Sequence, residues 1–482
     1  MRTNAKVLAL AACMLMVGAP LAFADEVSDE LAEMRAIVEQ LQSQVDAQSE
    51  QISHQGEVIQ QARIQQSAES DSRFGASGIA AFIQRLQVDG HLAGSYWWNF
   101  NDPGKSQLLG GNQGAAGLLY PFHQNYNNFQ VDQVWFGLEH PVDEENRAGF
   151  RFDMLFGNTA CSMVDANGRK QGFDNGPSEF GDNDAAFKRC RTGINSGDGV
   201  EGDGDDGTWG DNTSEYYVHQ AYVQYLAPIT QNGIHFKAGK FATLVGAEVM
   251  NTTQNFNITR GALYSILQPI DHVGVLASTD LGDSGWSATV GILNSNFLGD
   301  PDFNETKSVT GQLAYAGETI GGASTVIWGG DKEWENGEAS GIWDVVMTWD
   351  PSDNLSTWVN FDYAWQTIMQ NSHAWGLAAA GRYAVTERMG ISMRGEFVKD
   401  HASFIGFGHQ GAGFAPAQPK TSRLYTLTGT VDYALTNNLM MRAEVRYDNI
   451  TKRNANNNEF FDHGNDFVSD QVTSGVEIVY EF

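Results

Sequence analysis

The stretch "LYTLTGTVDYAL", residues 424–435, alternates apolar and polar side chains with a period of two. One face of the predicted strand carries Tyr425, Leu427, Gly429, Val431 and Tyr433. The two tyrosines lie about 26 Å apart along such a strand, or about 20 Å of membrane depth at a tilt of about 40°. A transmembrane barrel has an aromatic girdle at each interface, whereas a soluble sandwich core has no such requirement. The stretch therefore predicts a membrane-spanning strand.

Other stretches repeat the pattern. In "WGLAAAGRYAV", residues 375–385, Trp375 and Tyr383 have the same spacing. The chain ends in "SGVEIVYEF", which predicts a closing strand with Phe482 facing lipid at the periplasmic rim. About sixteen such strands follow one another from residue 86, joined alternately by short turns and long connections. Residues 86–482 are therefore predicted to form an all-β, antiparallel transmembrane barrel of about sixteen strands.

Residues 1–24 have the features of a signal peptide, with Arg2 and Lys6 ahead of an apolar stretch and a small-x-small cleavage site. A lipoprotein box ending at Cys13 is the less favoured alternative, because the apolar stretch continues beyond it. Cleavage removes two cations and takes the formal net charge from -30 to -32.

Residues 25–66 follow alternating steps of four and three and contain no proline, which predicts a periplasmic α-helical coiled coil. A single amphipathic helix lying on a domain is the alternative. Gln48 and Gln55 in the seam would weaken the coil and fix its register. Residues 67–85 lack periodicity and are predicted to be a linker.

The acidic balance disfavours nucleic-acid binding, because phosphate contacts need a cationic face. After the signal peptide, no run of 18 apolar residues predicts a helical span. No phosphate loop or hydrolase motif occurs in a supporting context, and the histidines are scattered. The chain is therefore not predicted to be an enzyme or to carry a cofactor.

A block from His219 to Ser278 contains "QAYV" at 220, "GKFATLVG" at 239 and "HVGV" at 272. This block resembles the OmpL-like family of β-barrel porins, although Leu244 or Val245 stands where that family usually has proline. The resemblance covers about residues 86–482 and implies a passive outer-membrane channel. A coiled coil ahead of a barrel also resembles the layout of trimeric dicarboxylate-type porins.

Charged residues on the polar faces of predicted strands are candidates for the pore lining. They are Arg151, Asp153, Lys237, Arg394, Glu396, Arg442, Glu444 and Arg446. An eyelet of opposed charges could select solutes by charge. Alternatively, the charges form ion pairs that only prevent repulsion across the lumen. As a group they predict a polar, water-filled interior.

Two long connections have distinct compositions. Residues 248–269 are amide-rich, with Asn255, Asn257 and a single cation, Arg260, and are the candidate constriction loop; an ordinary outer loop is the alternative. Residues 158–213 form a predicted acidic external loop with eleven acidic and five basic residues. Glycine-spaced carboxylates there could bind Ca²⁺, but a solvated, repulsive lid is favoured because the closing Glu of a calcium loop is missing.

Cys161 and Cys190 are predicted to form a disulfide within this external loop, because an exported protein meets an oxidising compartment. Neither cysteine has a second ligand at metal-site spacing, so no metal site is predicted.

The sequence as a whole predicts a Gram-negative outer-membrane porin that passes small hydrophilic solutes or ions by passive diffusion. Its predicted partners are membrane lipid, two further copies through the coiled coil, and the barrel assembly machinery through Phe482. The acidic excess predicts a modest preference for cations. A structural tether or surface receptor with a blocked lumen, and an outer-membrane barrel hydrolase, are the alternatives.

Overall fold

The computed structural model describes residues 82–101, 119–123, 127–166, 216–295, 306–331, 338–366, 372–401, 421–452, 460–461 and 467–482. The predicted signal peptide, the coiled coil and the linker up to residue 81 lie outside these ranges. The same holds for residues 167–215 of the predicted acidic loop, and hence for the predicted disulfide. The chain divides into two units, Met1–Leu86 and Gln87–Phe482. In the first unit, residues 82–85 form a helical turn.

Sixteen strands of the second unit close into one barrel, and all neighbouring pairs are antiparallel. The strands are β1 (Gln87–Asn99), β2 (Asn128–His140), β3 (Ala148–Phe156), β4 (Tyr216–Ala227), β5 (Ile234–Ala242), β6 (Asp271–Asp280), β7 (Trp286–Leu293), β8 (Ser308–Ala316), β9 (Ile320–Asp331), β10 (Glu338–Ser352), β11 (Leu355–Gln366), β12 (Ser372–Ala384), β13 (Met389–His401), β14 (Ser422–Ala434), β15 (Leu439–Lys452), then β16 (Phe460–Phe461) and β17 (Phe467–Val468), which pair with each other outside the barrel, and β18 (Asp470–Glu481). The predicted antiparallel barrel of about sixteen strands is confirmed.

In the described residues of the barrel unit, helical structure lies in the connections between strands. Helix α1 (Asn158–Ala166) follows β3, and the connection between β5 and β6 contains a 3₁₀ turn (Thr252–Gln254) and a π-helical turn (Leu263–Leu267). Within the described ranges, no helix is both long and apolar enough to cross a bilayer.

The two faces of the barrel wall differ in polarity as the alternation predicts. On β14, Tyr425, Leu427 and Tyr433 are 43%, 50% and 45% exposed, whereas Thr426 and Thr428 are buried. Large apolar side chains are exposed in the same way on most other strands. A continuous apolar surface of this extent marks contact with lipid. The barrel therefore has a lipid-facing exterior and a polar interior.

The closing strand joins the first strand at the end of the barrel that carries the short turns. The backbone groups of Phe482 and Gly90 exchange two hydrogen bonds, of 3.0 and 3.1 Å. Tyr480 and Phe482 are 46% and 55% exposed, so both face outward, as the sequence predicted for Phe482. The Phe482 ring lies against Gly90, where an added Cβ would come within 2.5 Å of its Cζ atom. Glycine at position 90 is what lets the terminal ring cover the seam.

Candidate constriction site

The connection between β5 and β6, residues 243–270, is called here the lumen segment. Its side chains are buried along most of its length; those at most 2% exposed include Val245, Met250, Thr252, Ile258, Thr259, Arg260, Ala262, Leu263 and Leu267. An outer loop in water could not bury so many consecutive residues. The segment contacts inward-facing residues of β2, β11, β13, β14 and β15, so it lies inside the barrel.

Strand β13 holds the segment through one buried guanidinium and one buried carboxylate. Arg394, which is 0% exposed, donates from Nη1 to Oε1 of Glu248 at 2.5 Å and to the carbonyl of Thr259 at 2.6 Å. Glu396, 3.3 Å from the Arg394 Nε atom, accepts a bond from the backbone N–H of Leu263. Burial raises the pKa of the Glu248 carboxyl, while the Arg394 guanidinium opposes that shift.

Strand β15 contributes Glu444, whose carboxylate binds the turn at residues 258 and 259. It accepts from the backbone N–H of Ile258 at 2.6 Å and of Thr259 at 3.2 Å. Thr430 on β14 donates to the same carboxylate at 2.8 Å, and Asn257 donates to the Thr430 hydroxyl at 2.7 Å. The Glu444 carboxylate thus accepts hydrogen bonds from the N–H groups of Ile258 and Thr259, which belong to no helix or strand.

Arg442, on the same strand, binds the 3₁₀ turn. Its Nη1 atom donates to the carbonyls of Thr252 and Asn255, both at 3.2 Å, and its Nε donates to Glu477 on β18 at 2.7 Å. Glu477 in turn accepts from the Thr252 hydroxyl at 3.1 Å. The guanidinium therefore joins the segment to two wall strands.

Arg446 completes the row on β15. It donates to Asp448 at 2.8 Å and to the carbonyl of Arg260 at 2.8 Å, and its guanidinium lies 4.5 Å from the centre of the Tyr120 ring. Arg394, Glu396, Arg442, Glu444 and Arg446 are together called the clamp, because all five side chains contact the lumen segment.

Arg260 is directed into the segment itself. Its guanidinium donates to the carbonyls of Val249, Met250 and Ile258 at 2.6–2.8 Å, and it lies 5.4 Å from the centre of the Phe122 ring. No carboxylate of the described residues lies within ion-pairing distance of it. Burial lowers the pKa of Arg260. This side chain holds the loop together.

Asn255 has the same internal role, because it donates to the carbonyls of Val249 at 2.9 Å and Asn251 at 2.6 Å. The three predicted loop residues, Asn255, Asn257 and Arg260, are thus engaged within the segment or with the adjoining wall.

The other three predicted lining residues lie apart from the clamp. Arg151 contacts Asp89 at 2.9 Å, Glu139 at 3.2 Å and Asp153 at 2.7 Å, near the short-turn ends of their strands. Lys237 lies 4.9 Å from the centre of the Tyr222 ring. The structure therefore divides the predicted set into the clamp and a group nearer the short turns.

Sequence reasoning missed several partners of the lumen segment. Gln268 donates to Asn360 and to Asp362 on β11, both at 2.8 Å. Asp362 and Glu477 lie on polar faces of alternating strands, so their inward direction could have been predicted. Glu248, inside an irregular connection, gave no such signal.

The predicted acidic external loop begins with α1, which packs inward. Ala160 and Met163 are buried in one cluster with Trp135, Tyr217 and Tyr264. The start of this connection therefore covers part of the lumen segment.

Several inward-facing residues nearer the short turns are less buried. Thr289, Gln312 and Thr348 are each partly exposed. The Arg382 side chain is 36% exposed and pairs with Asp432 at 2.6 Å. Water can therefore reach the polar wall on this side of the lumen segment.

A closed barrel with an apolar exterior, a charged interior and an inward-folded connection is the arrangement of an outer-membrane porin. Residues 85–482 match the family described as "Putative beta-barrel porin-2, OmpL-like", and the chain belongs to that family. The resemblance seen in the sequence is thereby confirmed, and the protein is an outer-membrane porin.

Several solved structures are similar in fold. OmpT of Vibrio cholerae, folded in vitro, is 12% identical, with 82% of this chain and 97% of that chain covered and a TM-score of 0.47. The anion-selective porin from Comamonas acidovorans is 10% identical, with coverages of 82% and 99% and a TM-score of 0.46. The outer membrane channel DcaP of Acinetobacter baumannii is 8% identical, with coverages of 82% and 97% and a TM-score of 0.45. No curated protein matches the sequence.

Proposed function

We propose that this porin passes small hydrophilic solutes or ions by passive diffusion through the space between the lumen segment and the barrel wall. The observation that carries the proposal is the clamp, in which buried charges of β13 and β15 hold the segment by its backbone. Because irregular backbone inside a barrel needs such partners, the clamp gives the constriction a fixed shape.

We further propose a modest preference for cations. At the short-turn end, the carboxylates of Asp89, Glu139 and Asp153 surround Arg151, and Lys237 interacts with Glu139. The side chains of Asp89 and Glu139 are 47% and 26% exposed, so their charges act on ions in the water of the lumen.

The proposal includes assembly as a homotrimer through the periplasmic coiled coil at residues 25–66. A strict heptad seam supports this assignment, because such a seam is narrower than the stripe of a helix packed on a globular core. Recognition by the barrel assembly machinery through Phe482 is supported by the outward exposure of its ring at the seam.

A blocked lumen is the second candidate, and one observation favours it. The wall residues Arg394, Arg446, Asp448 and Thr428 are all 0% exposed, so the lumen segment excludes water on this side of the interior. A barrel whose lumen is blocked across its whole width would act as a structural tether or surface receptor.

Planar-bilayer recordings test the proposal directly. The full chain, purified in detergent, is expected to give steady, voltage-insensitive conductance steps, with a reversal potential in a salt gradient that reports cation preference. Liposome swelling with sugars, amino acids and dicarboxylates then identifies the class of solute. Absence of both signals from protein that migrates as a folded barrel on unheated gels would overturn diffusion in favour of the blocked lumen.

A further inference from the structure

Three ionisable side chains from separate parts of the chain converge inside the barrel. They are His123, from residues 119–123, Asp132 on β2 and Glu477 on β18. Their side chains are at most 3% exposed, and one potential ligand atom from each lies within 4.8 Å of the others. The His123 Nε2 and Asp132 Oδ1 atoms are 3.9 Å apart. Because Glu477 is distant in sequence from His123 and Asp132, no ligand spacing could reveal the cluster.

Two members of the cluster lack partners. In the described part of the chain, neither oxygen of Asp132 nor Nε2 of His123 has a hydrogen-bond partner. Ser95 and Gln130 lie beside the carboxylate as its polar neighbours, and the Gln130 amide also donates to the Ser95 hydroxyl at 3.1 Å. Burying an ionised carboxylate without a partner is strongly unfavourable, so Asp132 is either protonated or paired with a further group.

The local backbone directs Asp132 into this cluster. The register between β1 and β2 shifts after Ala93, which pairs with Gln133, while Gly94 pairs with Val131. Asp132 is therefore the extra residue of a β-bulge. Bulges in barrels commonly redirect a side chain, and here both Asp132 and Gln133 are buried from solvent.

We infer that His123, Asp132 and Glu477 form a binding site for a first-row divalent cation such as Zn²⁺. Two ligand atoms about 2.1 Å from an ion lie about 3.4 Å apart in tetrahedral geometry and about 4.2 Å apart when opposite each other. The observed 3.9 Å falls between these limits. One imidazole nitrogen with two carboxylates suits Zn²⁺ better than Mg²⁺ or Ca²⁺, which prefer oxygen ligands alone.

The charge around the cluster sets the expected strength of binding. Glu477 is already paired with Arg442, and Arg260 and Arg446 are two further cations near His123. Each carboxylate oxygen has two lone pairs, so Glu477 can bind Arg442 and an ion together. The three guanidiniums oppose a further positive charge, and the affinity is therefore expected to be moderate.

A bound ion would connect the wall to the lumen segment. It would join residues 119–123 to β2 and β18, and Glu477 accepts from the Thr252 hydroxyl of the segment at 3.1 Å. The site would thus stiffen the constriction. Its existence does not depend on which solute passes, so this inference and the diffusion proposal can fail independently.

The test uses the full chain in detergent, stripped with a chelator and titrated with Zn²⁺ by calorimetry and with Co²⁺ by visible absorption. One ion per chain is expected. Asp132→Asn and His123→Gln should each weaken binding about tenfold or more. Asp280→Asn and His373→Gln, which change the same residue types elsewhere on the barrel, should bind as the native protein does.

Three outcomes would overturn the site. The first is no binding by the stripped native protein, and the second is equal affinity in Asp132→Asn. The third is an infrared band of a protonated carboxyl that persists at saturating Zn²⁺ and is missing from Asp132→Asn, because Asp132 would then be a buried neutral acid. Mobility on unheated gels shows whether each variant is folded. If Asp132→Asn does not fold, the affinity of His123→Gln for Zn²⁺ provides the test.

Discussion

Buried charged side chains of the barrel wall bond to backbone groups of the lumen segment. Arg442 donates to the carbonyl of Thr252, Glu444 accepts from the N–H of Ile258, and Arg446 donates to the carbonyl of Arg260. Hydrogen bonds to ionised groups are shorter and stronger than neutral ones. The sequence predicted that these charged residues line the pore. They also supply the hydrogen-bond partners that irregular backbone requires inside a barrel.

Glu444→Gln is expected to loosen the turn at residues 258 and 259. The amide keeps the shape of the carboxylate but loses its charge, and its NH₂ group cannot accept from backbone N–H. The free energy of unfolding in urea should fall by about 2 kcal/mol, with noisier conductance. Asp432→Asn, which removes a carboxylate that pairs with Arg382 away from the segment, is the control. Equal conductance noise in the two variants would contradict the role of Glu444.

Arg394→Gln and Glu248→Gln should differ although each breaks the same ion pair. The first leaves Glu248 and Glu396 buried without their shared cation, which should cost about 3–5 kcal/mol of unfolding free energy. The second should cost about 1–2 kcal/mol, because burial already raises the pKa of Glu248 and disfavours its ionised form. Urea titration of both variants measures the difference, and a larger loss for Glu248→Gln would refute the ranking.

At the scale of elements, alternation was enough to predict the strands, because the inner and outer faces of the wall meet solvents of opposite polarity. Composition also singled out residues 248–269. The contacts of that segment were beyond prediction, since Glu444 lies on the tenth strand after Ile258 and meets it only in the closed barrel. The β-bulge at Asp132 could not be predicted for a similar reason. The residue of β2 that has no partner on β1 is defined only by the register between the two strands.

Deleting residues 251–258 should widen the pore. These residues carry the 3₁₀ turn and the contacts with Arg442 and Glu444, whereas the strands β5 and β6 on either side pair independently of them. Single-channel conductance in planar bilayers should rise severalfold, with larger sugars admitted in liposome swelling. Asp283→Asn, in the short turn between β6 and β7 at the opposite end, is the control. Unchanged conductance in a folded 251–258 deletion would show that the segment does not limit flow.

At the scale of the whole molecule, the barrel completes its own hydrogen bonding. Strand β1 pairs with β18, and Phe482 bonds to Gly90 at the end of the seam, so the described sheet has no open edge between first and last strand. A membrane barrel needs such closure because lipid offers no hydrogen-bonding partners. The barrel should therefore fold and conduct as a single copy, and any trimer depends on contacts added to it.

Removal of residues 25–66 separates these two properties. We expect the shortened protein to reach the outer membrane, fold as a barrel and give the native conductance per channel, but to be monomeric in detergent. Multi-angle light scattering and chemical cross-linking measure the oligomer, and stepwise current insertions count the channels that enter together. Met34→Pro is the matched point variant, because proline breaks a helix while the composition stays almost unchanged. A trimer that survives both changes would mean that the barrel wall holds the copies together, and the coiled coil would then be a spacer toward the cell wall.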